Sequence, residues 1–211
     1  MFITFEGPDG CGKSSQVPLL AEFLRQRGYD VLTTREPGGT AIGDQIRAIL
    51  ADMDNTAMRP RTEMLLFQAS RAQHVEEVIV PALEQGRVVL CDRFADSTLA
   101  YQGYGHQKDL GVIREIIDYA TGGLTPDLTF LLDLSDVRIG LQRRAVGGGE
   151  WNRLDAMQVA FHQRVREGYY RLVEEQPERW EVIDAEQTFE SVQADLRRLT
   201  LKRLPVQPSR A

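Results

Sequence analysis

Residues 7–14, Gly7-Pro8-Asp9-Gly10-Cys11-Gly12-Lys13-Ser14, decide how the rest of the chain is read. They fit the pattern G-x-x-x-x-G-K-[ST], a loop built to hold phosphate. The glycines let the backbone turn so tightly that successive N–H groups point inward at an anion. Lys13 is long enough to reach the β- and γ-phosphates of a nucleotide, and the Ser14 hydroxyl can take a place on Mg²⁺. The flanks supply the setting the pattern needs. Phe2-Ile3-Thr4-Phe5 reads as a short buried strand, and from Ser15 the chain reads as a helix with Leu20, Phe23 and Leu24 on one face. A helix starting at the loop adds its N-terminal dipole to the anion site. Lysine is otherwise scarce here, with only Lys108 and Lys202 besides Lys13.

Working outward, apolar runs predict strands at 2–5, 31–34, 88–91, 128–134 and 181–184. Helical patterns fall between them, at about 14–27, 41–52, 61–85, 109–121, 136–144, 155–176 and 188–204. That alternation predicts an α/β fold with a five-stranded parallel sheet covered by helices on both faces. Pro81 is expected to kink or end the third helix. Met157, Phe161, Val165, Tyr169 and Leu172 form an apolar stripe at helical spacing, which reads as core. In such sheets ligands bind beyond the carboxyl ends of the strands. Three polar exits lie there: the phosphate loop, then Arg35-Glu36-Pro37-Gly38-Gly39, then Asp92-Arg93.

The 211 residues suit one domain, expected over 1–204, with a tail at 205–211 expected to be disordered. A net charge of −6 argues against general affinity for nucleic acid. The cations are nearly all arginine, which suits bidentate phosphate contacts and equally suits a genome rich in arginine codons. Only Cys11 and Cys91 occur, so no disulfide framework is expected and a reducing cytoplasm fits. Neither a signal peptide nor an apolar run of membrane-spanning length is read, so no membrane partner is expected. His74, His106 and His162 are scattered, against a histidine-based metal site.

The loop belongs to many kinds of protein, and the remaining motifs separate them. The guanine-reading N-K-x-D motif is absent, since neither Asn55 nor Asn152 precedes a lysine. The third strand ends Cys91-Asp92-Arg93, with arginine where many ATPases carry a water-polarising glutamate. An Asp-Arg pair beside a phosphate loop suits transfer to a second phosphate, with Asp92 near Mg²⁺ and Arg93 clamping an anionic acceptor; a strand-end ion pair of purely structural purpose is the alternative.

The chain resembles the thymidylate kinases of the bacterial type. The matching stretches are FEGPDGCGKSSQ, TREPGGT, FQASRAQH, CDRFADSTLAYQGYG, PDLTFLLDL and NRLDAMQVAFHQRVREGYYRL, in the family's order across nearly the whole chain. The resemblance implies a P-loop nucleotide-kinase fold with a short lid at about 143–154, phosphorylation of dTMP by ATP with Mg²⁺, and a homodimer. It implies that Gly7, Pro8, Asp9, Gly10, Cys11, Gly12, Lys13, Ser14 and Ser15 bind ATP together with Arg143 and Arg144. Lys13, Asp92, Arg93 and Arg153 would be catalytic, with Ser14 and Asp92 at the metal. Asp9 would approach the acceptor's 3′-hydroxyl, and Arg35 and Arg93 would hold its phosphate. Phe67 would stack on thymine and Arg71, four residues on, would donate to the base; from the residues alone they read equally as a core phenylalanine and a surface arginine. Thr98 and Gln102 would line the same pocket, and Tyr101 would crowd the 2′ position, though it too could be a packing residue. The family draws a catalytic arginine from the phosphate loop or from the lid. With Gly10 in the loop position, the lid is implied, and Gly147-Gly148-Gly149 would give it hinge freedom. Asn152-Arg153-Leu154-Asp155 departs from the commoner Asp-Arg-x-Glu, and His106 stands where arginine is common. Two other readings remain: a deoxynucleoside kinase acting on a 5′-hydroxyl, and a nucleotide-binding module without phosphotransfer.

Overall fold

A computed structural model describes residues 1–146 and 153–204. The phosphate loop joins β1 (Phe2–Glu6) to α1 (Lys13–Arg25). Then come β2 (Val31–Arg35), α2 (Ala41–Ala51), α3 (Pro60–His74), α4 (Val80–Glu84), β3 (Val88–Asp92), α5 (Ala95–Thr98) and α6 (Leu110–Thr121). The chain closes with β4 (Leu128–Asp133), α7 (Val137–Val146), α8 (Val159–Glu175), β5 (Trp180–Asp184) and α9 (Phe189–Arg203). The sheet is five-stranded and parallel in the order β2-β3-β1-β4-β5.

Strands buried on both faces need apolar residues in both directions, and β1 and β3 divide theirs by alternation. Ile3, Phe5, Val88 and Leu90 pack with α1 and α9 on one face. Phe2, Val89 and Cys91 pack on the other face with Val75, Ile79 and Ala82. A third cluster joins Leu131 to Phe161, Val165, Tyr169 and Leu172, so the stripe read from the sequence is core, with Met157 packed at its edge.

Two predicted helices change, and one helical segment is new. The helix expected over 61–85 is not continuous: a π-helical turn at Val75–Ile79 separates α3 from α4. Pro81 has no N–H to return to the turn before it, and the wider turn absorbs that loss upstream. A helical segment missed from the sequence, α5 followed by a π-helical stretch at Leu99–Gly105, leads away from β3. The helix expected from residue 155 starts at Val159, because Asp155 is drawn inward as the partner of Arg144. Two expectations fall outside the described residues: the glycine hinge with Asn152, and the tail at 205–211.

Because β2, β3 and β1 are adjacent, their carboxyl ends open on one edge. Asp92 pairs in register with Arg35 on one side and Phe5 on the other. The three polar exits therefore meet by topology alone.

Candidate active site

A cleft of about 410 Å³ opens at that edge. Of the residues expected at a site, it is lined by Asp9, Gly10, Gly12, Lys13, Ser14 and Ser15 from the loop, and by Arg35, Phe67, Arg71, Asp92, Arg93, Thr98, Tyr101 and Gln102. Arg143 and Arg144 of α7 complete the wall. Gly7, Pro8, Cys11 and Arg153 do not line it.

Loop and α1 make the anion end. Lys13 is buried, and its Nζ donates to the carbonyls of Gly7 (3.1 Å) and Pro8 (3.0 Å) and to Cys11 Sγ (3.2 Å). Gly7, Pro8 and Cys11 thus act behind the wall by holding the lysine. Ser14 Oγ donates to Asp92 Oδ2 at 2.7 Å, so a hydroxyl and a carboxylate meet beside the start of α1. Among the described residues no group of three or more His, Cys, Asp or Glu could hold a metal alone. One hydroxyl and one carboxylate do suit Mg²⁺, which commonly takes its remaining oxygens from substrate phosphates and water.

Gly10 fixes where Arg143 and Arg144 stand. Its φ is +76°, and a Cβ there would lie 2.0 Å from the carbonyl oxygen of Gly140; a Cβ on Gly140 would lie 2.0 Å from the carbonyl of Asp9. Loop and α7 therefore touch backbone to backbone. Arg143 and Arg144 follow Gly140 by three and four residues, so they share its face and are carried to the loop. Arg143 donates to the Ala185 carbonyl at 3.2 Å, and Arg144 donates to both oxygens of Asp155 at 3.2 and 2.5 Å.

Arg93 sits at the centre. Its φ of +70° is rare for a side-chain-bearing residue and stores strain of roughly 1–3 kcal/mol. The guanidinium donates to Asp9 (2.6 Å), the Tyr101 hydroxyl (3.1 Å), Ser97 Oγ (3.1 Å) and the Tyr169 hydroxyl (3.1 Å). Tyr101 in turn donates to Asp9 Oδ2 at 2.7 Å. Burial opposes a charge on Asp9, but Arg93, Lys13 and the Tyr101 hydroxyl overcome it and hold its carboxyl well below the usual range. Asp9 is therefore a fixed anion between two cations.

The wall toward α3 is equally polar. Arg71 is almost wholly buried, so it is no surface arginine. It donates to Glu36 (2.8 Å), Gln68 (2.9 Å), Thr98 (2.9 Å) and the Phe94 carbonyl (2.9 Å). Phe67, one turn earlier, is half-buried beside it rather than in the core. Arg35 is exposed and pairs with Asp44 at 3.3 Å. Gln102 donates to Glu63 at 2.8 Å, His106 reaches the same carboxylate, and Arg153 pairs with it from outside the cleft. Burial opposes ionisation of Glu63, and His106, Gln102 and Arg153 together pull its carboxyl below the usual range.

Sequence reasoning missed the buried carboxylates behind this wall. Glu36 accepts from Arg71 and faces His74 Nδ1 at 3.0 Å, and Glu6 closes a strand that is otherwise apolar or neutral. A charge ending a buried strand next to a phosphate loop was the available signal for Glu6. Glu63 carried none, because its partners lie 39 or more residues away in the chain.

The family model described as thymidylate kinase matches residues 5–196. The chain is 52% identical over 204 residues to the thymidylate kinase of an Exiguobacterium species, covering 97% of this chain and 95% of that one. It is 54% identical to the thymidylate kinase of a Roseiflexus species, over 91% and 89% of the two chains. In three dimensions it resembles the crystal structure of thymidylate kinase from Ehrlichia chaffeensis, with TM-score 0.76 and 35% identity, covering 95% of this chain and 98% of the other.

Proposed function

The chain belongs to the thymidylate kinase family, and from that premise we propose how its cleft converts dTMP to dTDP with ATP as donor. The reaction needs two anionic substrates to meet with their reacting oxygens in line. The observation that carries the reading is the join between the phosphate loop and Arg93 through Asp9, because it sets a donor-phosphate cradle and an acceptor-phosphate cation in one cleft.

In this reading the loop N–H groups, the α1 N-terminus and Lys13 hold the β- and γ-phosphates of ATP. Ser14 and Asp92 would hold Mg²⁺, which neutralises phosphate charge when bound. Arg93 and Arg35 hold the acceptor phosphate. Phe67 stacks on thymine, and Arg71, Thr98 and Gln102 meet its edge and the sugar. Asp9 accepts from the 3′-hydroxyl, and Tyr101 closes the 2′ side. No covalent intermediate is needed. Arg153 supplies the last cation from the lid, while Arg143 and Arg144 attend the donor. One domain, 1–204, with its lid at 143–154 is the unit we assign, and two reduced, buried cysteines support assigning it to the cytoplasm. Among the described residues no helix is long and apolar enough to cross a membrane.

A panel of nucleoside monophosphates, scored for diphosphate product, tests this reading. dTMP is expected to exceed all others, and thymidine to be inert as acceptor; turnover of thymidine would instead make the chain a nucleoside kinase. In the same panel Tyr101→Ala should admit the ribose form of TMP at least about tenfold better relative to dTMP. Tyr101→Phe keeps the ring but removes the hydroxyl that joins Arg93 to Asp9, so it should retain discrimination while losing about tenfold in kcat/KM. An unchanged ratio in Tyr101→Ala removes the sugar-gate role.

We also propose a homodimer. Ile42, Ile49, Leu65 and Val112 are each about half exposed on α2, α3 and α6, which pack side by side. Exposed apolar side chains on neighbouring helices suit an interface. Sedimentation at micromolar concentration should give twice the chain mass, and Ile49→Asp with Leu65→Asp should give the monomer. A parent that sediments as a monomer would refute the proposal.

A further inference from the structure

Behind Arg93 lies a second layer that the reaction scheme leaves unused. Glu6, the last residue of β1, is fully buried. Its Oε1 accepts from the Phe94 N–H at 2.8 Å, and its Oε2 accepts from Ser97 Oγ at 2.5 Å and from the Tyr169 hydroxyl at 2.9 Å. Those two hydroxyls are the ones that accept from Arg93 at 3.1 Å each. Each hydroxyl has one proton. With both protons spent on Glu6, both oxygens are free to receive Arg93 N–H groups. In that arrangement the bonds run one way, from guanidinium to hydroxyl to carboxylate; the two hydroxyl oxygens also stand 3.0 Å apart, so the ionised carboxylate competes with the neighbouring hydroxyl for each proton.

We propose that Glu6 is the positioning residue that aims Arg93 at the acceptor phosphate, acting through the hydroxyls of Ser97 and Tyr169. This rests on the reading that Arg93 holds that phosphate. Arg93 needs such support because its backbone is in a strained conformation, and an unsupported side chain there would relax. The Phe94 N–H, anchored on the same carboxylate, fixes the peptide immediately after it. The ionised carboxylate accepts from all three donors with no hydrogen of its own to place among them. A protonated Glu6 gives its hydrogen to one hydroxyl, whose own proton must then turn toward the other hydroxyl or toward Arg93, and either change breaks the one-way run of bonds.

The surroundings make that ionisation conditional. Burial, with Asp96 of α5 nearby, pushes the Glu6 carboxyl up to about 7 against the pull of Arg93 and the bonds from Ser97 and Phe94. Asp96 is itself paired with Arg179 at 2.7 and 2.8 Å. Cys91 on β3 is within electrostatic reach and Tyr169 comes from α8; burial, with Glu6 among the nearby charges, pushes both protons well up, so both stay neutral near pH 7. Beyond Arg93 stand Asp9 and Tyr101. As pH rises through about 7 Glu6 ionises, and the aimed state of Arg93 gains population.

Calorimetric titration with dTMP and with thymidine tests this, because only dTMP carries the phosphate. In the parent, dTMP affinity relative to thymidine should strengthen as pH rises through 7, beyond the effect of the phosphate's own ionisation near 6. Glu6→Gln, whose amide must donate to the hydroxyls, should bind dTMP roughly 10- to 100-fold more weakly at pH 8. It should lose the dependence near 7 and bind thymidine within about twofold of the parent. If Glu6→Gln does not fold, Ser97→Ala with Tyr169→Phe removes the relay directly, and the same selective loss is expected. Parent-like dTMP affinity in either variant at pH 8, or equal losses for dTMP and thymidine, overturns the inference. Arg93→Ala separates the layers: if it leaves the dTMP-to-thymidine ratio intact, the phosphate-clamp reading falls and the inference with it.

Discussion

Lys13→Ala will turn over dTMP about 100- to 1,000-fold more slowly than the parent at saturating substrates. Removing one preorganised positive donor from a developing anion costs about that much. The lysine's position makes the loss specific. Nζ is buried and held on the carbonyls of Gly7 and Pro8, so its charge lies inside the loop that would cradle the transferring group. The same two bonds tie the lysine to the fold, and losing them costs about 1–2 kcal/mol. A melting temperature lower by several degrees, with one cooperative transition, is the expected companion. A folded variant that turns over near the parent rate would show that the loop does not hold the reacting phosphate.

Arg153→Ala will lose about 10³–10⁵ in kcat, equivalent to roughly 4–7 kcal/mol of barrier. Charge spreading over the transferring phosphoryl calls for a cation besides Lys13, and Gly10 supplies none from the loop. Arg153 is paired with Glu63, so it must exchange that partner to act. Two features favour the exchange. Its Nε is buried without a hydrogen-bond partner, so the pair leaves the guanidinium incompletely satisfied. Glu63 keeps Gln102 and His106, so its buried carboxylate is not left bare. On the proposed role the contact is made in the transition state, so kcat should fall further than dTMP affinity. Arg153→Lys should also fall well short, because lysine lacks the planar fork. Arg143→Ala and Arg144→Ala, which remove cations already lining the cleft, are the controls. If either loses kcat while Arg153→Ala keeps it within a few-fold, the role belongs to α7.

The sheet was legible because its signal is local. A parallel strand covered on both faces needs consecutive apolar residues, and Phe2-Ile3-Thr4-Phe5 and Leu128 onward display them. The phosphate loop was legible for the same reason, since each of its constraints falls within eight residues. The helical stretch after Arg93 was not legible. Gly103 and Gly105 give it no helical signal, yet a Cβ at Gly105 would lie 2.7 Å from Phe161, a neighbour far away in sequence. The smallness of the residue answers to packing against α8, and no window around it reveals that. The charged residues of the site divide similarly. Arg93 was found because it follows a strand, whereas Glu63 depends on partners from two distant segments.

The backbone contact between Gly10 and Gly140 also bears on how such a chain can change over generations. An arginine at residue 10 would begin with a Cβ 2.0 Å from a carbonyl oxygen of α7, and the obstacle is main chain, which no rotamer can relieve. A lineage that carries this contact cannot seat an arginine at this loop position by one codon change. It must first shift α7, and that helix carries Arg143 and Arg144. The two sources of arginine are thus separated by an intermediate that has lost the geometry of one before gaining the other, and a lineage on either side tends to stay there.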